Sequence, residues 1–162
     1  MPESPESLRA SAARLNAEAN RYEDHARKLR SDAGLLLTAA TAAELKANEA
    51  IPVDRSRQTL TDGSPVPDDR SHVELKDNGQ QRGYVVLSEE ERARGFVRPV
   101  RRSYVHDRCG TVTTMSQSIA ETYSRCPTFY SGTYCCGCGR HFPVGEDGEF
   151  TWDDGSGEKV GT

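Results

Sequence analysis

The chain has 162 residues, of which 35% are hydrophobic, with a formal net charge of -4 and a mean hydropathy of -0.74. These values argue against one well-filled globule of this length, and nothing in the overall charge favours nucleic acid. The longest apolar run, residues 35–43, is interrupted by threonines and too short to span a bilayer, so no membrane association is expected. The first seven residues have neither a basic nor an apolar region, so no signal peptide is expected.

The first predicted element is a long helix within residues 1–50. Leu8, Ala12, Leu15, Ala19, Tyr22, Ala26, Leu29, Ala33 and Leu36 follow one another at unbroken four-three spacing. That is a heptad seam with large residues at one core position and alanine at the other, the pattern of a coiled coil. Ser4 and Pro5 suit an N-cap and first turn. Gly34 weakens the run, and Ile51-Pro52 ends it. Intermolecular pairing is the favoured reading, with copies of itself through residues 8–36 or with another protein. The alternatives are packing against the rest of the chain or a hairpin at Gly34.

Residues 51–82 read as a flexible linker: Thr61-Asp-Gly-Ser-Pro-Val-Pro-Asp-Asp-Arg-Ser and Asp77-Asn-Gly-Gln-Gln-Arg-Gly are turn chemistry without an apolar period. Val73 and Leu75 allow one short strand at most.

Of the eleven aromatic residues only Tyr22 precedes Tyr84, so the compact domain is expected over residues 83–162. At about 80 residues, a metal commonly supplements the apolar core. A short strand is predicted at residues 83–87. A helix follows, opened by a capping box of Ser88 and Glu91 and ended at Gly95. Residues 96–104 read as a second strand, with Pro99 at a sheet edge. Thr114 is expected to cap a helix from Met115 to Arg125, whose apolar face is Met115, Ile119, Ala120 and Tyr123. Residues 149–160 form a hairpin candidate. The fold class is therefore α+β: a long coiled-coil-like N-terminal helix and a small C-terminal domain of short strands and helices, which the metal motif and the resemblance below make zinc-ribbon-like.

The most specific motif is a repeated one. His106-Asp-Arg-Cys109-Gly110 and Cys135-Cys-Gly-Cys138-Gly139 each place two metal-binding side chains three positions apart, followed by glycine. Both are zinc-knuckle turns, and two of them close one four-ligand site. The predicted metal ligands are His106, Cys109, Cys135 and Cys138, with Zn2+ as the cofactor. Cys136 and His141 are the spare ligands, and Cys126 is a small buried residue before Pro127. Five clustered cysteines do not make a disulfide framework and point to a reducing compartment.

Catalysis is not expected. A zinc deaminase needs His-x-Glu and Pro-Cys-x-x-Cys, whereas this chain has His106-Asp-Arg108 and Tyr134 before Cys135. Nucleophile-elbow, phosphate-loop and His-Glu-x-x-His motifs are also lacking. The charge pattern is local. Between Arg92 and Arg108 six arginines face one acid, and after His141 six acids face Lys159 alone. Either these segments neutralise each other or solvate the surface, or Arg98, Arg101, Arg102 and Arg108 contact phosphate or an acidic partner.

Arg94-Gly-Phe-Val-Arg-Pro-Val-Arg-Arg-Ser-Tyr-Val-His106, Cys109-Gly-Thr-Val-Thr-Thr-Met115, Ala120-Glu-Thr-Tyr123 and Cys138-Gly-Arg-His-Phe-Pro143 carry a further signal. This block resembles small zinc-ribbon-like proteins encoded by bacteriophages and prophages, a family with no assigned activity. The resemblance covers about half the chain and leaves the N-terminal helix outside. It implies a phage setting, in host cytoplasm or virion. The expectation is a non-enzymatic phage accessory or virion-associated zinc-binding protein acting on another phage or host protein. The alternative is a zinc-ribbon regulator that binds nucleic acid through the basic stretch.

Overall fold

The computed structural model describes residues 4–162, so the first three residues of the expected helical segment 1–50 lie outside the described residues. The chain divides into two compact units, Met1–Glu44 and Leu45–Thr162.

Helix α1 runs over Pro5–Asn48, and its last turn belongs to the second unit. Ser4 Oγ accepts from the Ser7 amide at 3.2 Å, satisfying one of the free N–H groups of the first turn. The helix continues through Gly34, which corrects the hairpin alternative. One glycine costs a helix only about 1 kcal/mol relative to alanine, too little to break so long a run. No residue of α1 is buried, and Leu8, Leu15, Tyr22, Leu29 and Leu36 are between 53% and 71% exposed. The heptad seam is thus an open apolar stripe. Among the described residues, no helix is long and apolar enough to cross a membrane.

The second unit opens with the C-terminal turn of α1, where Asn48 Nδ2 donates to Phe96 O at 2.9 Å. Strand β1 (Gln58–Leu60) pairs antiparallel with β2 (Val85–Leu87), Gln58 opposite Leu87 and Leu60 opposite Val85. The expectation of a flexible linker over residues 51–82 and a domain boundary at 83 is therefore corrected. The turn-forming residues make ordered turns instead of disorder. Asp54, Asp62 and Asp69 each accept from the amide two residues on, at 2.9–3.0 Å. Leu75 and Gln81 bridge across a turn at Gly79, and Leu60 packs against Gly83.

Helix α2 (Glu89–Arg92) is capped as expected, with Ser88 Oγ accepting from the Glu91 amide. The return half of the capping box is not made, because Glu91 points into the interior. Its fully buried carboxylate meets the fully buried Arg125 (Nη2···Oε1 3.2 Å). Arg94 and the Asp54 amide also donate to it. Arg125 in turn donates to the carbonyls of Ile51, Pro52 and Gly95, tying residues 51–54 to α2 and to the helix that ends at Arg125. Burial penalises the Glu91 charge. The hydrogen bonds from Arg94, Asp54 and Arg125 outweigh that penalty and hold its pKa below the ordinary value.

Strand β3 is Ser103–His106, not the expected 96–104. The amides of Val97 and Arg98 donate to Ser124 O, at 2.8 and 3.1 Å, which draws that stretch away from the sheet. Strand β4 (Val112–Thr114) and strand β7 (Phe150–Trp152) flank β3 in a three-stranded antiparallel sheet, Tyr104 lying opposite both Thr113 and Trp152. Helix α3 spans Gln117–Arg125, capped by Ser116 and not by Thr114. Thr114 is occupied as the end of β4, opposite Ser103, and the Met115 amide bonds Arg102 O. Strands β5 (Gly132–Cys135) and β6 (Arg140–Pro143) form a hairpin. The expected tail hairpin is present as a Thr151–Lys159 bridge.

The core gathers Tyr104, Met115, Ala120, Tyr123, Cys135, Phe150, Trp152 and Val160. An edge-to-face contact of Tyr104 with Phe150 (5.3 Å) packs β3 against β7 within the sheet, and one of Tyr123 with Trp152 (5.8 Å) joins the sheet to α3.

Candidate metal centre

The site is built from two turns of the same construction. Along β3 side chains alternate, so Tyr104 and His106 are buried while Ser103 and Val105 are only half-buried. The chain then turns so that the amides of Cys109 and Gly110 both donate to His106 O, at 3.2 and 2.8 Å. In the second turn the Gly139 amide donates to Cys135 O at 2.9 Å, between the end of β5 and the start of β6. Gly110 and Gly139 adopt φ of +70° and +66°, the left-handed conformation that explains a glycine after each ligand pair.

The hairpin and the sheet bring the two turns face to face. The ligand atoms of His106, Cys109, Cys135 and Cys138 all lie within 4.8 Å of one another. His106 Nδ1 is 3.1 Å from Cys109 Sγ and 3.5 Å from Cys138 Sγ, and Cys109 Sγ is 3.6 Å from Cys135 Sγ. Three thiols and an imidazole converging on one point are a metal-binding arrangement. The spare ligands sit elsewhere. Cys136 Sγ contacts Thr113 Oγ1 and Val112 O, both at 3.4 Å, and His141 Nε2 is 3.0 Å from the Tyr84 hydroxyl.

The imidazole is held from its far side by Glu149, whose Oε2 is 3.0 Å from His106 Nε2. That carboxylate fixes the proton on Nε2 and leaves the Nδ1 lone pair facing the thiols. The ring lies between Phe142 and Phe150, with centroids 4.4 and 4.9 Å away. Glu149 has no local sequence signal, because it is one acid among six in the tail. Only the β3–β7 register, with His106 opposite Phe150, puts it beside the ring.

Residues 76–81 also reach the site. Tyr134 donates to Asn78 O at 2.6 Å, and a Cβ on Gly79 would stand 1.7 Å from Gly139 O. Within the second turn, a Cβ on Gly137 would stand 2.3 Å from Thr111 Oγ1.

The electrostatics call for a cation. Hydrogen bonds from the side chain and amide of Thr111 lower the Cys109 pKa to about 6, with further help from His106 and Cys135. Desolvation, and then the neighbouring thiols of Cys109 and Cys135, push Cys138 up to about 11. Burial opposes protonation of His106, but Glu149 and Cys109 outweigh it and raise its pKa. One thiolate therefore forms readily, and clustering suppresses ionisation of the next. A bound cation removes that conflict.

The arginines of the basic stretch are engaged within the chain. Arg98 pairs with Glu49 at 3.1 Å, Arg101 with Asp154 at 2.7 Å and also with Glu158, and Arg108 with Glu149 at 3.1 Å. Arg102 donates to Met115 O at 3.2 Å. The basic segment and the acidic tail neutralise each other at Arg101, whose guanidinium also lies 5.8 Å from the Trp152 ring centroid.

Fold and site together define an α+β protein with a long N-terminal helix and a zinc-ribbon-like Cys3His centre. No protein-family model, curated protein or solved structure matches the chain.

Proposed function

We propose that the centre holds one structural Zn2+ and that the protein is a non-enzymatic scaffold acting through protein–protein contacts. The convergence of His106, Cys109, Cys135 and Cys138 carries this reading. A zinc tetrahedron with Zn–S of about 2.3 Å and Zn–N of about 2.0 Å has S···S edges of roughly 3.8 Å and S···N edges of roughly 3.5 Å. The observed 3.6 and 3.5 Å are close to those values, and the 3.1 Å His106–Cys109 edge needs only a small opening. Four protein ligands fill the tetrahedron and leave no position for a reacting water. Zinc here clamps the β3–β4 turn to the β5–β6 turn.

The open Leu/Ala stripe of α1 supports self-association through residues 8–36, which multiplies whatever surface the second unit presents. The resemblance of residues 94–143 to phage-encoded proteins supports a phage accessory or virion-associated role, in host cytoplasm or particle, with a phage or host protein as partner. The engagement of Arg98, Arg101, Arg102 and Arg108 within the chain weighs against the nucleic-acid alternative.

The test combines elemental analysis and sedimentation of reduced protein with affinity isolation from infected cells. One zinc per chain, an oligomer, and a protein partner retained in high salt are expected. Metal-free, fully folded material would sink the structural-zinc reading. Retention on nucleic acid at low salt that is lost when Arg101 and Arg102 become alanine would replace the scaffold with the regulator.

A further inference from the structure

The open stripe of α1 alternates large and small residues. Leu8, Leu15, Tyr22, Leu29 and Leu36 hold one seam position, and Ala12, Ala19, Ala26, Ala33 and Ala40 hold the other. The five large side chains are all more than half exposed in the single chain. Together they offer on the order of 500 Å² of apolar surface per copy, before the alanines are counted, against the roughly 800 Å² per partner of a stable complex. The seam is narrow: the positions that flank it on both sides from residue 9 to residue 32 are all polar, which suits one neighbouring helix and not several.

We propose that α1 pairs with α1 of a second copy in antiparallel orientation, with Tyr22 opposite Ala26 of that copy. This pairing rests on the self-association proposed above and fixes its geometry. In a parallel pair like meets like, Leu15 facing Leu15 and Ala19 facing Ala19. The leucine layers then hold the helices apart and leave the alanine layers unfilled. Antiparallel pairing sets every large residue opposite an alanine: Leu8 faces Ala40, Leu15 faces Ala33 and Leu29 faces Ala19. The layers become nearly equal in volume, and the helices approach evenly at about 8 Å, the close end of helix packing.

The second unit sets the register. With Tyr22 opposite Ala26, residues 5–43 of the two copies cover one another, which is the helix as far as the first unit extends. A slip of one heptad in one direction draws in residues 45–48, where Asn48 is already bonded to Phe96 O at 2.9 Å. A slip in the other direction moves Leu36 off its alanine and onto Pro5. Charge agrees with the orientation. Antiparallel pairing sets Glu23 near Arg30 on one flank and Glu18 near His25 on the other, each about 7.5 Å apart along the axis. At the same interval a parallel pair sets Glu18 near Glu23 and His25 near Arg30, acid against acid and base against base. The two Glu44 ends lie about 60 Å apart in the antiparallel pair, so the second units are carried from opposite ends and can bridge two sites on a partner.

The full-length, zinc-loaded protein is expected to sediment as a dimer. A photo-crosslinking benzophenone side chain in place of the exposed Asn16, with cross-linked dimers isolated on a denaturing gel and mapped by mass spectrometry, should join position 16 to residues 30–37 of the second copy. A parallel pair would join it to residues 11–18. Ala19→Leu preserves helix propensity and separates the two volume patterns. It overfills the layer shared with Leu29 and should weaken the antiparallel dimer by about tenfold or more, whereas in a parallel pair it fills an alanine layer and tightens association. Adding Leu29→Ala to Ala19→Leu returns one large and one small residue to the layer and should restore the dimer. A monomer would overturn this pairing and self-association together. Cross-links to residues 11–18, a dimer tightened by Ala19→Leu, or a trimer or larger assembly would overturn the antiparallel pairing alone.

Discussion

Glu149→Ala tests the metal centre without touching a ligand. The Glu149 carboxylate sits 3.0 Å from His106 Nε2, and the His106 side chain is only 2% exposed. Solvent is a poor substitute for that acceptor, and the imidazole loses the group that fixes its tautomer. Removing such a carboxylate typically lowers metal affinity 10- to 100-fold, or about 1.4–2.7 kcal/mol. Burial of the ring puts this site toward the upper end. Glu149→Gln keeps an acceptor oxygen in place and should fall nearer tenfold. Arg108, which shares the carboxylate but is 75% exposed, serves as control, and Arg108→Ala should change affinity less than threefold. Competition for zinc against a chromophoric chelator at neutral pH measures all three. If Glu149→Ala binds metal like the unmodified protein, or Arg108→Ala loses as much, Glu149 does not position the ligand.

Three further outcomes are expected. A fragment of residues 45–162 should remain folded and sediment as a monomer, whereas one of residues 83–162 should fail to fold, because it lacks β1 and the carbonyls that Arg125 binds; equal stability of the two fragments would restore the linker reading. Gly79→Ala should destabilise the second unit by more than about 1 kcal/mol in chemical denaturation, since φ is +80° and the added Cβ meets backbone at Gly139; an unchanged midpoint contradicts that packing. Glu91→Gln leaves Arg125 buried without its counter-charge and should cost about 3–5 kcal/mol at pH 7. Because the folded pKa of Glu91 lies below its ordinary 4.5, its stabilisation is complete above that value and fades as pH falls through the lower folded pKa. The difference from the unmodified protein should therefore shrink in acid, and a pH-independent difference would show that the Glu91 charge is not what matters.

Some features were legible because local spacing dictates them. A four-three apolar repeat needs only the helical period, and α1 follows it past Gly34 to Asn48. Two ligand pairs at matched spacing, each followed by glycine, encode their turns locally, and the left-handed Gly110 and Gly139 are the visible result. Ser88 as a cap is equally local. The misplaced elements were those in which a distant group competed for the backbone. Ser124 O captures Val97 and Arg98, pairing with Ser103 holds Thr114 in a strand, and Arg125 draws Glu91 away from its own helix end.

Residues 51–82 give the sharpest contrast. Their polar, turn-rich composition is common to disordered segments and to ordered successions of tight turns, and composition does not distinguish the two. A partner strand at Val85–Leu87, a buried guanidinium seeking carbonyls and a Gly79–Gly139 approach decide for order. By itself, then, the order of residues determined the long helix and the two ligand turns, since each depends on neighbours a few positions away, and the matched spacing of the turns marked which four side chains would meet. The carboxylate behind His106 and the neutralisation of Arg101 by the tail were decided only by tertiary structure, because strand register joins groups whose separation along the chain carries no signal.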